Sequence, residues 1–330
     1  MENKKHNVGK TFLKVLLGIF ISIILLAIIA FTVGYFFINN KLDKMNYVDL
    51  PTNEIEVNTG VEENLEEYRT IALFGLDTRT DSLENSRSDC IMLVTINNNT
   101  KDVKLTSVYR DTYLDVDGHG LDKVTHAYIY GNAKLAINTL NKNLDLNVKE
   151  FVTVNFETVR TVVNQIGGVT ITVTDTEAKS IPNISSAGTY NLNGDQALAY
   201  SRIRKIDSDY KRTERMRTVL TAVFEKAKTF NLAELNSLAD TILPHVSTNI
   251  SKSEIFSLMP QITSYNIIES IGWPYNVRAY TTPTWYGAPV TLESNVKQLH
   301  RDVFGEEDYE VSDTVKSISN KIINKTGYSN

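Results

Sequence analysis

Between Val15 and Ile38 the chain reads VLLGIFISIILLAIIAFTVGYFFI, 24 residues without one charged side chain. A helix that is apolar all round has no polar face to turn to water. At about 1.5 Å per residue the run crosses the roughly 30 Å of a bilayer's hydrocarbon core with some tilt. The segment therefore predicts a transmembrane helix. A cleaved signal has an apolar stretch of about 7–15 residues followed by a small-x-small site. This run closes on Tyr35, Phe36, Phe37 and Ile38 instead, which predicts a retained anchor. Lys4, Lys5, Lys10 and Lys14 precede it against Glu2, while Glu54, Glu56, Glu62, Glu63, Glu66 and Glu67 follow it. The positive flank stays inside. Residues 1–14 are expected as a cytoplasmic tail, 15–38 as a single-pass helix in the cell membrane, and everything after Asn39 as extracytoplasmic.

Beyond the anchor the composition is that of a globular protein, with 42% hydrophobic and 22% charged residues in 330. Those fractions exclude collagenous, acidic-disordered and coiled-coil chains. Cys90 is the only cysteine, which rules out an internal disulfide and a cysteine-based zinc site. Five scattered histidines without a His-x-x-x-His pair speak against a zinc enzyme. A net charge of −5 speaks against non-specific nucleic-acid binding, so any anion site must come from local clustering of Arg and Lys.

Residues 39–68 are polar and Asn/Glu-rich, and are expected as a spacer; the domain is expected over 69–305, with a polar, frayed tail at 306–330. TIALFGLD reads as a strand ending in a turn, and DCIMLVTIN with DVKLTSVY as a hairpin. FVTVNF, FETVRTVVNQI and VTITVT give strand–helix–strand order, typical of a sheet covered by helices. Met216, Val219, Leu220, Val223 and Ala227 repeat at helical spacing, which predicts a helix over 210–230. Asp195 is placed to cap a shorter helix before it.

Three charged clusters fall at strand ends or helix starts. In GLDTRTDSLENSRSD, Asp77 ends one strand, Arg79 follows in the loop, and Arg87 and Asp89 begin the next. A hairpin there would bring two carboxylates together, and a hard cation such as Mg²⁺ removes their repulsion while binding substrate phosphates. The same spacing is also that of solvated loop charges. Arg110-Asp111 ends the strand KLTSVY, with Lys123 a short loop later; by itself such a pair is common surface salt-bridge material. SRIRKIDSDYKRTERMR is strongly basic, with Arg202, Arg204 and Arg212 among its cations. Arg202 and Arg204, two apart, make a fork suited to phosphate if extended. The competing reading is an amphipathic helix with a basic outer face.

Taken in order, LFGLDTR…RSDCIMLV, SVYRDTYL, DKVTHAYIYGNA and GDQALAYSRIRKIDSDYKRTERMR resemble the LytR-CpsA-Psr family of bacterial cell-envelope proteins, from about Arg69 to Lys228. The resemblance implies an α/β fold with a mixed β-sheet flanked by helices and an apolar tunnel for a polyprenyl chain. It implies an enzyme that transfers a glycopolymer, such as teichoic acid or capsule, from a polyprenyl diphosphate carrier to peptidoglycan, leaving a phosphodiester. Carried over residue by residue, it puts Asp77 and Asp89 on Mg²⁺. Arg79, Arg87, Arg110, Lys123, Arg202, Arg204 and Arg212 fall around the diphosphate, and Asp89, Arg110 and Asp111 in the catalytic group. Tyr109, Thr125, His126, Asn132 and Met216 depart from the family pattern without removing a charge. The alternatives are a non-catalytic envelope scaffold and an envelope-linked transcriptional attenuator acting indirectly. If the carrier is polyprenyl, the tunnel is expected to be lined from FVTVNF, FETVRTVV and the 216–224 helix face, opening near Asp77 and Arg202.

Overall fold

The computed structural model describes residues 46–78, 83, 86–204, 206–251, 254–255 and 258–329. The apolar run at 15–38 and Arg79 lie outside the described residues. Among those described, no helix is long and apolar enough to cross a membrane.

In chain order the strands are β1 (Asn46–Tyr47), β2 (Tyr68–Leu76), β3 (Ser88–Asn97), β4 (Asp102–Val108), β5 (Tyr113–Val116), β6 (Gly120–Lys123) and β7 (Glu150–Asn155). They continue with β8 (Val169–Val173), β9 (Gly188–Leu192), β10 (Ser247–Thr248), β11 (Asn266–Trp273), β12 (Val277–Thr281) and β13 (Trp285–Pro289). The main sheet has the order β1-β10-β7-β2-β3-β4-β11. It is mixed: β2 runs antiparallel to β3 and parallel to β7, and β11 runs parallel to β4. The described helices are α1 (Val61–Asn64), α2 (Val124–Leu144), α3 (Phe156–Gln165), α4 (Asp175–Ala178), α5 (Gly194–Ser201), α6 (Asp209–Lys228), α7 (Leu232–Ile242), α8 (Leu292–Leu299) and α9 (Asp313–Thr326).

Alternation along the central strands serves two cores at once. Ala72, Phe74 and Leu76 of β2 and Ile91 and Leu93 of β3 point to one face, where Ile137 and Leu140 of α2, Val296 of α8 and Ile318 of α9 complete the packing. Leu73, Cys90, Met92, Val103 and Leu105 point to the other, beneath Phe156, Met216 and Leu220. A strand covered on both faces reads as a continuous apolar run, which is why IALFGL and CIMLV show no polar alternation. A third cluster joins α3, α5 and the β8–β9 hairpin through Val163, Ile171, Leu192 and Ala197. Helix α3 starts where the Asn155 side chain accepts from Thr158 N and ends before Gly167 and Gly168, both at positive φ.

Both ends of the domain differ from the sequence expectation. The stretch expected as a spacer is built into the fold from Asn46: β1 pairs with β10, and Ile55, Val61 and Leu65 are buried in the core. The tail expected to fray carries α9, whose Val315, Ile318 and Ile322 form one buried stripe, with Tyr309 and Val311 packed before it. Three apolar positions at i, i+3 and i+7 suffice for a narrow core-facing stripe in a segment that is polar on average. The cap of α5 is Asn193, which forms a capping box with Gln196, and Asp195 lies in the first turn instead.

At Gly75 the sheet leaves no room for a side chain, since a Cβ there would lie 2.8 Å from Cys90 Cβ on the paired strand. Gly75→Ala is therefore expected to lower stability by about 1–3 kcal/mol through overpacking, read from the urea midpoint at unchanged slope.

Candidate functional site

The site is assembled where β2, β3 and β7 end together. Leu76 pairs with Ser88 on β3 and with Asn155 on β7, so Asp77 follows directly from the sheet's rim. The β2–β3 register shifts between Gly75 and Leu76, leaving Asp89 as the extra residue of a bulge. Bulges re-aim side chains at sheet rims. Asp89 is only 6% exposed, yet it accepts from two guanidiniums: Arg110 Nη1 at 2.9 Å and Arg204 Nη2 at 3.1 Å. Arg110 comes from the end of β4, which neighbours β3. Arg202 caps α5 and donates from Nη2 to Asp77 Oδ1 at 2.8 Å. Asp111 takes Lys123 Nζ at 2.7 Å and Arg110 Nε at 3.3 Å.

Arg212, in the first turns of α6, is the deepest member. It is fully buried; Nη2 donates to Asp209, while Nε and Nη1 have no hydrogen-bond partner among the described residues. Burial pulls its pKa below the usual guanidinium value; Asp209 and Asp89 oppose the shift and nearby Arg110 and Arg204 add to it. Arg110 moves the other way: burial lowers its pKa, but Asp89, Asp111 and Asp209 together outweigh burial. Repulsion among guanidiniums whose donors are not all used marks a place prepared for an anion.

An apolar cavity of about 200 Å³ runs from this cluster between the sheet and the helices. Leu73, Met92, Val159, Val162, Met216 and Leu220 line it, drawn from β2, β3, α3 and α6. Asn155, Phe156 and Ser201 bring it to the charged rim, for Ser201 precedes Arg202 and the Arg202 guanidinium lies 5.5 Å over the Phe156 ring. This is the lining and the position expected for the tunnel. The Cys90 thiol also faces the cavity, and burial pushes its pKa up to about 11 against the opposing pull of Arg212 and Arg217, so it stays protonated at neutral pH.

A match to the LytR_cpsA_psr family extends over residues 32–301. The chain belongs to this family. Bacillus subtilis (strain 168) polyisoprenyl-teichoic acid–peptidoglycan teichoic acid transferase TagT is 34% identical over 285 residues, covering 81% of this chain and 87% of that relative. A solved structure of TagT bound to LI-WTA superposes with a TM-score of 0.59 at 29% identity, covering 80% of this chain and 92% of that one. Another, the LytR-CPS2A-psr family protein YwtF (TagT) with bound octaprenyl pyrophosphate lipid, gives 0.54 at 26% identity over the same shares.

Within this LytR_cpsA_psr fold, Asp77, Asp89, Arg110, Asp111, Lys123, Arg202, Arg204 and Arg212 converge on one rim, linked by the ion pairs above. Arg87 stands exposed at the head of β3. His126 is held locally, its Nδ1 2.9 Å from Asp122 Oδ2, which Tyr130 OH also donates to. Thr125 donates to Ser88 O at 3.0 Å and so ties the start of α2 to the strand that carries Asp89. The basic-outer-face reading of 201–217 fails, because Arg212, Arg215 and Arg217 are all buried. A signal for two of them was present, since Arg212 and Arg215 stand four residues before Met216 and Val219 and share their apolar face.

Arg215 does not join the rim. It donates to Glu177 Oε1 at 2.7 Å, to Asp207 and to the Ile203 carbonyl, fixing the loop that carries Arg204. Burial raises the Glu177 pKa, but hydrogen bonds from Arg215 and Thr174 more than offset it and hold the carboxyl below its ordinary value. A depressed carboxylate stabilises the fold above its unfolded value, about 4.3, and that contribution is lost as pH falls through the lower folded value. Glu177→Gln is therefore expected to be less stable than wild type at pH 7, the difference shrinking below about pH 4; urea titrations at pH 7 and pH 3 read both points.

Proposed function

We propose that this chain transfers a glycopolymer from a polyprenyl diphosphate carrier to peptidoglycan, forming a phosphodiester link. The observation that carries this reading is Arg212, a buried guanidinium with unused donors, near enough to Cys90 in the wall of the apolar cavity to pull on its thiol. A lipid diphosphate has that same two-part chemistry, a polyanionic head and an apolar chain. The names of TagT and of its lipid-bound structure support the assignment of carrier and acceptor.

Arg110, Arg202, Arg204 and Arg212, with Lys123, would bind the diphosphate by charge-assisted hydrogen bonds. Arg79 and Arg87, which follow Asp77 in the chain before Asp89, are assigned to the same head group. The acceptor's hydroxyl oxygen would attack the phosphorus nearer the glycopolymer, and the bond to the bridging oxygen would break, releasing polyprenyl phosphate. The arginines would hold the charge that grows on that leaving group. A carboxylate would take the hydroxyl proton. Asp89 is assigned this role with Arg110 and Asp111 beside it; because both Asp89 oxygens already accept from guanidiniums, an arginine must turn to the diphosphate first.

The donor set fits Mg²⁺ in kind. Asp77 and Asp89 are hard oxygen ligands at adjacent strand ends, and one or two carboxylates with substrate phosphates are the protein share Mg²⁺ takes. Among the described residues no group of three or more His, Cys, Asp or Glu forms a self-sufficient metal site, so substrate oxygens must complete the coordination. Bound there, Mg²⁺ would supply neutralisation of diphosphate charge.

The run at 15–38 is assigned as the membrane anchor, with the domain extracytoplasmic and the N-terminus cytoplasmic. A reporter fused after Asn39 is expected to be active outside the cell; activity in the cytoplasm would overturn the topology.

Binding of inorganic diphosphate to the full chain in detergent, followed by calorimetry, tests the site. Arg212→Gln and Arg204→Ala are each expected to lose roughly 1.5–3 kcal/mol, about ten- to a hundredfold in affinity. Asp77→Ala is expected to abolish Mg²⁺ dependence of turnover while the melting temperature holds, since Asp77 sits at the exposed rim. Wild-type affinity in both arginine variants would refute the diphosphate reading.

A further inference from the structure

The apolar cavity is small for the chain that the transferase reading puts in it. At about 200 Å³ it falls below the roughly 300–1,000 Å³ of pockets that take drug-sized ligands, and a polyprenyl chain is longer than those. On α6 the lining runs from Met216, one turn after Arg212, to Val223, seven residues at about 1.5 Å each, or roughly 10 Å. On α3 it runs from Phe156 to Val162. At that far end Val162 and Val223 share one apolar cluster with Ile242, the last residue of α7, which also lines the cavity. A longer chain has to displace this end wall.

The walls differ in how firmly they are held. Strands β2, β3 and β7 are interior to the sheet, with a hydrogen-bonded neighbour on each side. Helix α6 is tied by Arg215 to Glu177 and Asp207 and by Arg217 to Ser270 on β11. Helix α7 leans on α3, with Leu238 buried in the cluster that holds Val162, while Ala233, Glu234 and Ser237 on its other side are exposed. Gln165 Nε2 of α3 donates to Ser237 Oγ at 2.9 Å across that seam. The start of α7 needs no neighbour to satisfy it, because Asn231 and Glu234 form a capping box. A helix capped by its own residues and docked on one face can leave that face as a body.

We propose that α7 is a lid that sets the prenyl length the cavity admits: docked on α3 it closes the far end at Ile242 and admits a short chain, and undocked it opens the cavity to a long one. The inference rests on the transferase reading above, which puts the diphosphate at the arginine rim and the prenyl chain in the cavity. A short chain binds whether the lid is docked or not. The apparent affinity for a long chain is scaled by the fraction of molecules whose lid is open. The head group is indifferent to the lid, since the arginines gather at the rim and α7 meets the cavity at Ile242.

The test uses the full chain in detergent, in a Cys90→Ala background, with Gln165→Cys and Ser237→Cys bridged by a short bis-methanethiosulfonate that reductant removes. Geranyl diphosphate and the longer geranylgeranyl diphosphate are titrated by calorimetry into the same sample before and after reduction, so partitioning into detergent cancels. The bridged lid is expected to bind geranylgeranyl diphosphate roughly tenfold more weakly than the reduced one, and geranyl and inorganic diphosphate within about twofold. Leu238→Ala, which loosens the lid, is expected to gain about threefold or more for geranylgeranyl diphosphate and to keep geranyl diphosphate within about twofold. A merely structural loss would weaken both lengths alike. Equal geranylgeranyl diphosphate affinity before and after reduction, an equal loss for both lengths, or no gain in Leu238→Ala would overturn the proposal. Either variant decides alone should the other fail to fold. Wild type that binds inorganic diphosphate but gains no affinity from either prenyl chain would instead overturn the carrier reading, and the lid with it.

Discussion

One carboxylate holds the rim of this structure together. Asp89, nearly buried at a bulge in β3, accepts from Arg110 at the end of β4 and from Arg204 in the loop before α6. The β3–β4 hairpin and a loop more than a hundred residues beyond Asp89 are thereby fixed to one point. Because Asp89 is nearly buried, losing Arg110 would leave its charge poorly compensated, whereas Arg204, half exposed, contributes less. The shared carboxylate also offsets part of the repulsion between the two guanidiniums it draws together. Arg215 performs the same service one layer back, tying Asp207 and Glu177 across the loop that presents Arg204.

Helix α6 is the element on which both halves of the chemistry turn. Its apolar residues close the cavity over the sheet, and its first turns bury Arg212, whose charge acts on Cys90 in the cavity wall. A buried cation beside an apolar wall is unfavourable in isolation. It becomes intelligible when the ligand is itself half anion and half hydrocarbon. The location agrees with the general behaviour of α/β sheets, whose ligands gather beyond the carboxyl ends of parallel strands, here β2 and β7.

The departures from the family pattern are absorbed locally. Thr125 finds the Ser88 carbonyl and His126 finds Asp122, so both changes stiffen the segment around Lys123 without adding a base to the rim. Asn132 takes φ +52° in the kink that interrupts α2, a conformation that favours glycine. Tyr109 fills the space left open by Gly272 on the neighbouring strand.

Much of this was legible from residue order. Continuous apolar runs at IALFGL and CIMLV announce strands covered on both faces, and the spacing of Met216, Val219, Leu220 and Val223 announces α6. The charged residues at strand ends and helix starts were identifiable as a set. What residue order could not show is which cations turn inward: Arg212, Arg215 and Arg217 lie in one basic stretch, yet the first faces the rim, the second a buried ion-pair network and the third a separate groove. Nor could average polarity reveal the narrow stripe that docks α9, or the anchoring of Ile55, Val61 and Leu65. Sequence determines local periodicity and charge, because these act between neighbours along the chain. Ion pairing, burial and cavity shape are decided only when the sheet brings residues more than a hundred positions apart, such as Asp77 and Arg202, within hydrogen-bond distance.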